Sequence, residues 1–503
     1  MQSPVFANEQ NRPLFCSPSS RLSSSADDSN DTTPNVSATS TIPWRQLFPI
    51  LLFCTSHALT YSVIFPFIAD MVSSCGAPAA KVGLYAGIAE SAIMLVEVVT
   101  APAWARVADR YGRRPALLGG FAICIFACPM LGFSTSVWEI IFWRAALGIN
   151  SAGVMTNIIA AELSTAIDRS LVFSILGPAF SVGMLLGTLL GGELAHPYGR
   201  FPAILGGSSQ FWLKHPFALP CILVGAIDAL TILVGYLFLA ETRPTSSRGQ
   251  DRRDRSPYAA TLKVPRFALI TAVFLLYQVA SFSWDGMYTV YTFTDPQKGG
   301  LGLEVSTIGI VYSVNYLISI ASCPLLLPWM VKRWGSLSAL EVALVMWPVL
   351  AILIPLSQWT AIHDRMAMWG VVVLQLCIRA IGAAGWPMLD MLTMGCFDEH
   401  PQLMATGSAI SLMGTAGGRA FGPAISGWLF SISTLYPTGS FLRQISWIYI
   451  ALVTVPALLL TRYMKRNDRL SSGIGERKAL LDEDAGEPRG RSFGSGGTTA
   501  KIV

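Results

Sequence analysis

Apolar runs of membrane length follow one another through the middle of this chain, and they restrict its fold more than any other feature. An α-helix needs about 20 consecutive apolar residues to cross the bilayer core. Twelve such stretches can be marked, at roughly 46–69, 82–104, 115–133, 137–161, 170–194, 217–240, 266–292, 304–330, 337–357, 367–393, 403–432 and 444–464. Only 13% of the 503 residues are charged, where a soluble protein has about a quarter. The deficit runs the whole length of the apolar region, which excludes a single anchor on a soluble domain. Closed barrels are the other fold that lipid permits, but their strands alternate with a period of two and these runs are continuous. The expectation is an all-α membrane protein with twelve transmembrane helices.

Orientation follows from lysine and arginine, which gather in cytoplasmic loops. With both termini cytoplasmic, the inner loops and the segment after span 12 hold 17 of these residues and the outer loops 6. The chain then divides into a cytoplasmic tail (1–43), a first six-helix bundle (44–240), a basic linker (241–265), a second six-helix bundle (266–464) and a second tail (465–503). Both tails are polar and expected to be disordered; with the first on the cytoplasmic side, its sequons at Asn30 and Asn35 are expected to stay unglycosylated. No apolar signal-peptide core precedes span 1. Glu476 followed by Leu480-Leu481 fits an acidic-dileucine sorting pattern. The plasma membrane is the expected location, with the vacuolar membrane as the alternative.

The net charge of +5 resides in loops and reads as topology, not as nucleic-acid binding. Nine cysteines without paired spacing argue against disulfides. No His/Cys cluster suggests a metal site, and no cofactor motif occurs. A nucleophile elbow and a P-loop are both lacking, so neither an enzyme nor an ATP-driven pump is expected.

The two halves echo each other. Arg144-Ala-Ala-Leu-Gly148 in span 4 recurs as Arg379-Ala-Ile-Gly382 in span 10, and Gly187 to Gly192 in span 5 recurs as Gly422 to Gly427 in span 11, both at an offset of 235. Between spans 2 and 3 lies a dense charged turn, Trp104-Ala-Arg-Val-Ala-Asp109-Arg110-Tyr-Gly112-Arg113-Arg114-Pro115, with an eroded counterpart at Trp329–Gly335. Internal repetition of this kind predicts two pseudo-symmetric six-helix bundles.

Asp109, Arg110, Gly112, Arg113 and Arg114 resemble the loop motif G-x-x-x-D-R-x-G-R-R of the major facilitator superfamily, with Ala105 in place of the leading glycine. Span 4 is similar to its R-x-x-x-G element at Arg144 and Gly148. Span 5 is similar to its antiporter element, although Thr188 stands where that element has proline. Val82–Glu90, Phe65-Pro-Phe67 and Gly418-Arg419-Ala-Phe-Gly-Pro423 resemble the zinc-induced-facilitator-like group of the drug:proton antiporter branch. The resemblance implies transport by rocking of two halves about a midplane site. It also implies that Asp109 and Arg113, with Glu162 as a third member, form a charge network locking the outward-open state; topology-setting charge alone is the other reading.

Charges within spans cost about 2.5–3.5 kcal/mol each to insert, so those retained should face the bundle and pair. They are Glu90, Glu97, Arg144, Asp228, Asp285, Glu341, Arg379 and Arg419. Glu90 and Glu97, seven apart, share a face of span 2. Glu90 with Arg144, and Asp285 with Arg379, are the expected pairs. A carboxylate alternately paired and unpaired can carry a proton, which makes Glu90, Glu97, Arg144 and Asp285 the coupling candidates; permanent structural pairing competes. The resemblance implies a cavity lined by spans 1, 4, 7 and 10, hence substrate contacts from His57, Tyr61, Asn150, Asn157, Trp284, Tyr288, Gln375, Arg379 and Trp386, with Arg419 added from span 11. His57 titrates near neutral pH and is either a packed residue or a relay. Strips of small residues at Gly183, Gly187 and Gly191 and at Gly414, Gly418 and Gly422 allow close helix approach and are expected between the halves.

The function expected is proton-coupled export of a small organic molecule by a monomer in the lipid bilayer, with protons as coupling ion. A facilitator or importer of the same fold, for an organic acid or a metal chelate, and a non-transporting receptor on this scaffold are the alternatives.

Overall fold

The computed structural model describes residues 43–164, 169–200, 209–242, 257–264, 266–397, 404–437 and 439–486. All described elements are helices. Span 1 is Trp44–Ser62 continued by Ile68–Ser74, span 2 Val82–Tyr111, span 3 Arg113–Phe121 with Ile123–Gly132, span 4 Val137–Leu147 with Ala152–Leu163, span 5 Arg169–Leu194 and span 6 Ala218–Phe238. The second half is span 7 Phe267–Phe293, span 8 Val305–Trp334, span 9 Ser336–His363, span 10 Arg365–Ala383 with Gly385–Gly395, span 11 Met404–Ser433 and span 12 Ile445–Gly486.

Among the described residues, ten helices are long and apolar enough to cross a membrane. Spans 1 and 11 complete the twelve. They miss that apolarity because span 1 carries Thr55, Ser56, His57, Thr60 and Ser62, and span 11 is rich in glycine and serine. Both pack against protein on several sides and need small or hydroxyl side chains there more than aliphatic ones.

Span 12 differs from expectation. The sequence predicts a structureless tail from residue 465, yet the helix runs on to Gly486. A helix already nucleated propagates without a new nucleation cost. Residues 1–42, 243–256, 265 and 487–503, which hold most of the expected tails and linker, lie outside the described residues.

The glycine strips are not where they were expected. Added Cβ atoms at Gly183, Gly187 and Gly191 would meet Thr55, Leu59, Ser62 and Val63 of span 1, in the same half. Likewise Gly418 and Gly422 face Leu275, Gln278, Val279 and Ser283 of span 7. The contacts between halves fall one residue further along. Gly192 meets Val305 and Gly309 of span 8, and Gly427 meets Gly83 and Gly87 of span 2. At an offset of 235 the intra-half seam reads Ala179/Gly414, Gly183/Gly418, Gly187/Gly422 and Gly191/Ser426. Every position is small in both halves, so the strips are one repeated seam whose glycines start one turn apart.

Four hydrogen bonds join the halves near the end away from Asp109. Ser431 Oγ accepts from the Leu84 amide and Ser91 Oγ from the Ala424 amide, each at 2.9 Å; Ser313 Oγ lies 3.2 Å from Thr188 Oγ1 and donates to the Leu185 carbonyl. That end is closed. A leucine in place of Gly427 should hold spans 2 and 11 apart there. Maleimide labelling of a Ser431→Cys probe is expected to accelerate several-fold in the Gly427→Leu background; unchanged labelling would show that the seam tolerates bulk.

Candidate functional site

The charged turn is built by backbone first. Gly112 sits at φ 112°, ψ 161°, and its counterpart Gly335 at φ 80°, ψ 158°. Positive φ is open to glycine at no steric cost, and it lets spans 3 and 9 begin at the very next residue. The two turns then diverge. An added Cβ at Gly335 meets nothing, whereas at Gly112 it would strike the Glu241 carboxylate. Glu241 accepts from the Arg113 amide at 2.8 Å and the Arg114 amide at 3.2 Å. Arg113 bridges Asp109 (2.7 Å) and Glu162 (2.9 Å), and Thr242 donates to Glu162 at 2.7 Å. Arg114 donates to the Tyr236 carbonyl and lies over its ring. Arg110 lies over the Tyr111 ring at 5.4 Å. Among the described residues, the partners of Arg113 and Glu162 come from span 2, span 4 and the segment directly after span 6, so the network braces spans 2, 3, 4 and 6 together.

Deeper in the first half, Asp228 is fully buried and accepts from Ser56 (2.6 Å) and Thr60 (2.8 Å) of span 1. Arg144 is equally buried. It donates to the carbonyls of Ala89 (3.4 Å) and Tyr61 (3.1 Å) and lies 5.3 Å from the Tyr61 ring. The expected Glu90–Arg144 ion pair is not formed. Arg144 is turned to backbone, and Glu90 is turned to span 7, where its Oε2 would collide with any Cβ at Gly286. Glu90 Oε1 and Arg144 Nη2 are both buried without a hydrogen-bond partner. Glu97 stands 4.0 Å from His57 Nε2 and fills the space over Gly153, with its own Oε2 unpartnered.

The expected Asp285–Arg379 pair is present, and Arg379 also donates to Asn315 at 3.3 Å. Tyr312 donates to the Asp285 carbonyl at 2.5 Å. Trp284, Tyr288 and Gln375 border this pair around a cavity with room for about one water. Trp284 is 2% exposed and packs edge-on to Trp347 and Trp447. It thus borders the small cavity from within the aromatic core of the second half. Asn150 donates to the Leu147 carbonyl and accepts from the Ala152 amide across the break in span 4, and it is also a hydrogen-bond partner of His57; Asn157 donates to the Gly153 carbonyl.

An aromatic layer crosses between the halves. His57 packs on Phe180, Phe180 on Trp386, Trp386 on Phe282 and Phe282 on Tyr61, with centroids 6.1–6.4 Å apart. Arg419 lies over Phe282 and Trp386. The structure thus groups His57, Tyr61, Trp386 and Arg419 in one layer, and Tyr288, Gln375 and Arg379 in a separate pocket.

The pattern that defines the Major Facilitator Superfamily matches residues 50–423. The chain belongs to that superfamily. It is 26% identical over 385 residues to "Efflux pump azaK" of Aspergillus niger, covering 75% of this chain and 80% of that one. It is 26% identical over 447 residues to "Protein ZINC INDUCED FACILITATOR-LIKE 1" of Arabidopsis thaliana, covering 83% and 90%. The fold is shared with a bacterial homolog of the human lysosomal transporter Spinster, solved in an inward-facing and occupied conformation, at 16% identity and a TM-score of 0.63 over 85% of this chain and 98% of that one. The protein is a multi-pass membrane transporter of the major facilitator superfamily and not an enzyme.

Three groups escaped the sequence reading. Glu241 follows span 6 in Leu239-Ala-Glu-Thr-Arg-Pro, a conspicuous acidic element at a span end. Asn315 and Tyr312 lie in span 8, outside the four helices assigned to the cavity; counting uncharged polar residues within apolar runs would have found them. Replacing Glu241 by alanine leaves two turn amides without their acceptor, at a cost of about 1 kcal/mol in this half-open setting. The thermal midpoint of the detergent-solubilised protein should fall. An unmoved midpoint would assign Glu241 no part in the turn.

Proposed function

We propose that the protein exports a small organic molecule in exchange for protons, by alternating access, with both termini cytoplasmic. One observation carries the coupling. Glu90 is 2% exposed at the interface of the halves, with no acid–base partner and its Oε2 seated against Gly286. A carboxylate at membrane depth without a partner is costly as an anion and far less so when protonated.

The lysine and arginine distribution sets the Asp109 turn on the cytoplasmic side. The closed end is then external. Separating Gly83 and Gly87 from Pro423 and Gly427 would remove the wall around Glu90 and bring it to external water. Protonation there makes its reburial cheap, so closure follows proton uptake. Arg144, with one unpartnered nitrogen near the same region, favours the anion when Glu90 discharges its proton. Asp285 and Arg379 hold each other and Asn315, which favours a structural part for that pair. Export accords with the name of the Aspergillus niger relative, an efflux pump.

Glu90→Gln mimics the permanently protonated state. Mass spectrometry of the medium should show that export of the solute retained by deletion cells loses its sensitivity to a protonophore and falls more than ten-fold, while exchange of labelled for unlabelled solute persists. Export that remains protonophore-sensitive in this variant would remove Glu90 from coupling.

A further inference from the structure

Arg419 is answered differently from the other buried arginines. Arg379 has the Asp285 carboxylate, and Arg144 has two carbonyls. Arg419 is 9% exposed, its Nε is buried without a hydrogen-bond partner, and no carboxylate among the described residues forms an ion pair with it. Its neighbours are two ring faces, Phe282 at 5.7 Å and Trp386 at 6.0 Å. Cation–π contact returns less than burying a guanidinium costs. An anionic group is missing from the site.

Asp390 presents the opposite sign. It lies one turn along span 10 from Trp386 and is exposed, although it stands within a membrane-spanning helix. An exposed carboxylate at that depth faces a watery space and not lipid. Its carboxylate accepts a hydrogen bond from the Trp386 ring N–H and feels the Arg419 charge, yet the two charges do not form an ion pair. Two structural charges would have been expected to close on each other. Here they flank the same ring, Trp386, with each charge unneutralised.

We infer that the substrate is a zwitterion with a flat apolar body, its anionic group on Arg419, its cationic group on Asp390, and its body against Trp386 and Phe282. This deepens the transport reading above and rests on it. A purely anionic or cationic molecule would satisfy one charge and leave the other buried against it. Trp386 is half-buried, so part of its face remains for the ligand.

Isothermal titration calorimetry on the full chain in nanodiscs can test this with four matched probes: 3-(2-naphthyl)alanine, 3-(2-naphthyl)propionate, 2-(2-naphthyl)ethylammonium and 3-(2-naphthyl)propanamide. The zwitterion should bind roughly ten-fold more tightly than any of the others, the scale of one charge-assisted contact. Arg419→Gln should shift the preference to the ammonium, and Asp390→Asn to the propionate. Arg419→Lys, which keeps the charge, should retain the zwitterion preference and so guards against a folding defect. The inference is overturned if the amide binds as well as the zwitterion, if Arg419→Gln and Asp390→Asn weaken all four probes alike, or if none binds. Binding is read without a proton gradient. Loss of coupling in the export assay therefore leaves this result standing, and a failed probe series leaves the coupling result standing.

Discussion

Hydrocarbon offers a polar side chain no water, and the arrangement of this protein follows from how each buried polar group is answered. Asp228 draws two hydroxyls from span 1, Asp285 draws Arg379, and Arg144 draws two carbonyls and a tyrosine face. These bonds tie helices within one half. Arg144 aside, which keeps one nitrogen unpartnered, Glu90, Glu97 and Arg419 each keep a buried atom without a partner. All three stand where the halves meet or where the aromatic layer crosses between them. Satisfaction inside each half keeps it rigid; lack of satisfaction between halves leaves groups that can respond when the halves part.

The charged turn shows the same division. Both halves carry a glycine of positive φ at the turn, but only the first has a carboxylate seated against it. Through Glu241, Arg113 and Glu162, the first half gathers four helix ends into one braced corner. The second half keeps the backbone geometry without the brace. A duplicated element has thus retained its shape in both copies and its charge in one.

The fold was legible because lipid makes apolarity a strict condition. Twelve runs, their loops and the repeat offset all followed from it. The Asp109–Arg113–Glu162 cluster and the Asp285–Arg379 pair could be anticipated because opposite charges near one depth have few other options. Glu90 and Arg144 defeated the same rule. Their pairing depended on which way two side chains turn, and Arg144 found carbonyls that no sequence pattern announces. The glycine strips were visible, but their direction was not, since a helix has several faces and spacing alone does not say which partner each one meets. Trp284 likewise could be core or wall, and it is both: it packs on Trp347 and Trp447 and borders the small cavity.

Gly187 and Gly192 lie five residues apart, which turns them about 140° around the helix axis. One faces a helix of its own half, the other a helix of the opposite half. Span 11 repeats the arrangement at Gly422 and Gly427. Each of these helices therefore has a fixed side and a travelling side, told apart by rotation alone. Losing or gaining a single residue midway would rotate the remainder by about 100° and turn the downstream glycine away from the helix it now meets. Length within these spans is information, in a way that length in the loops joining them is not.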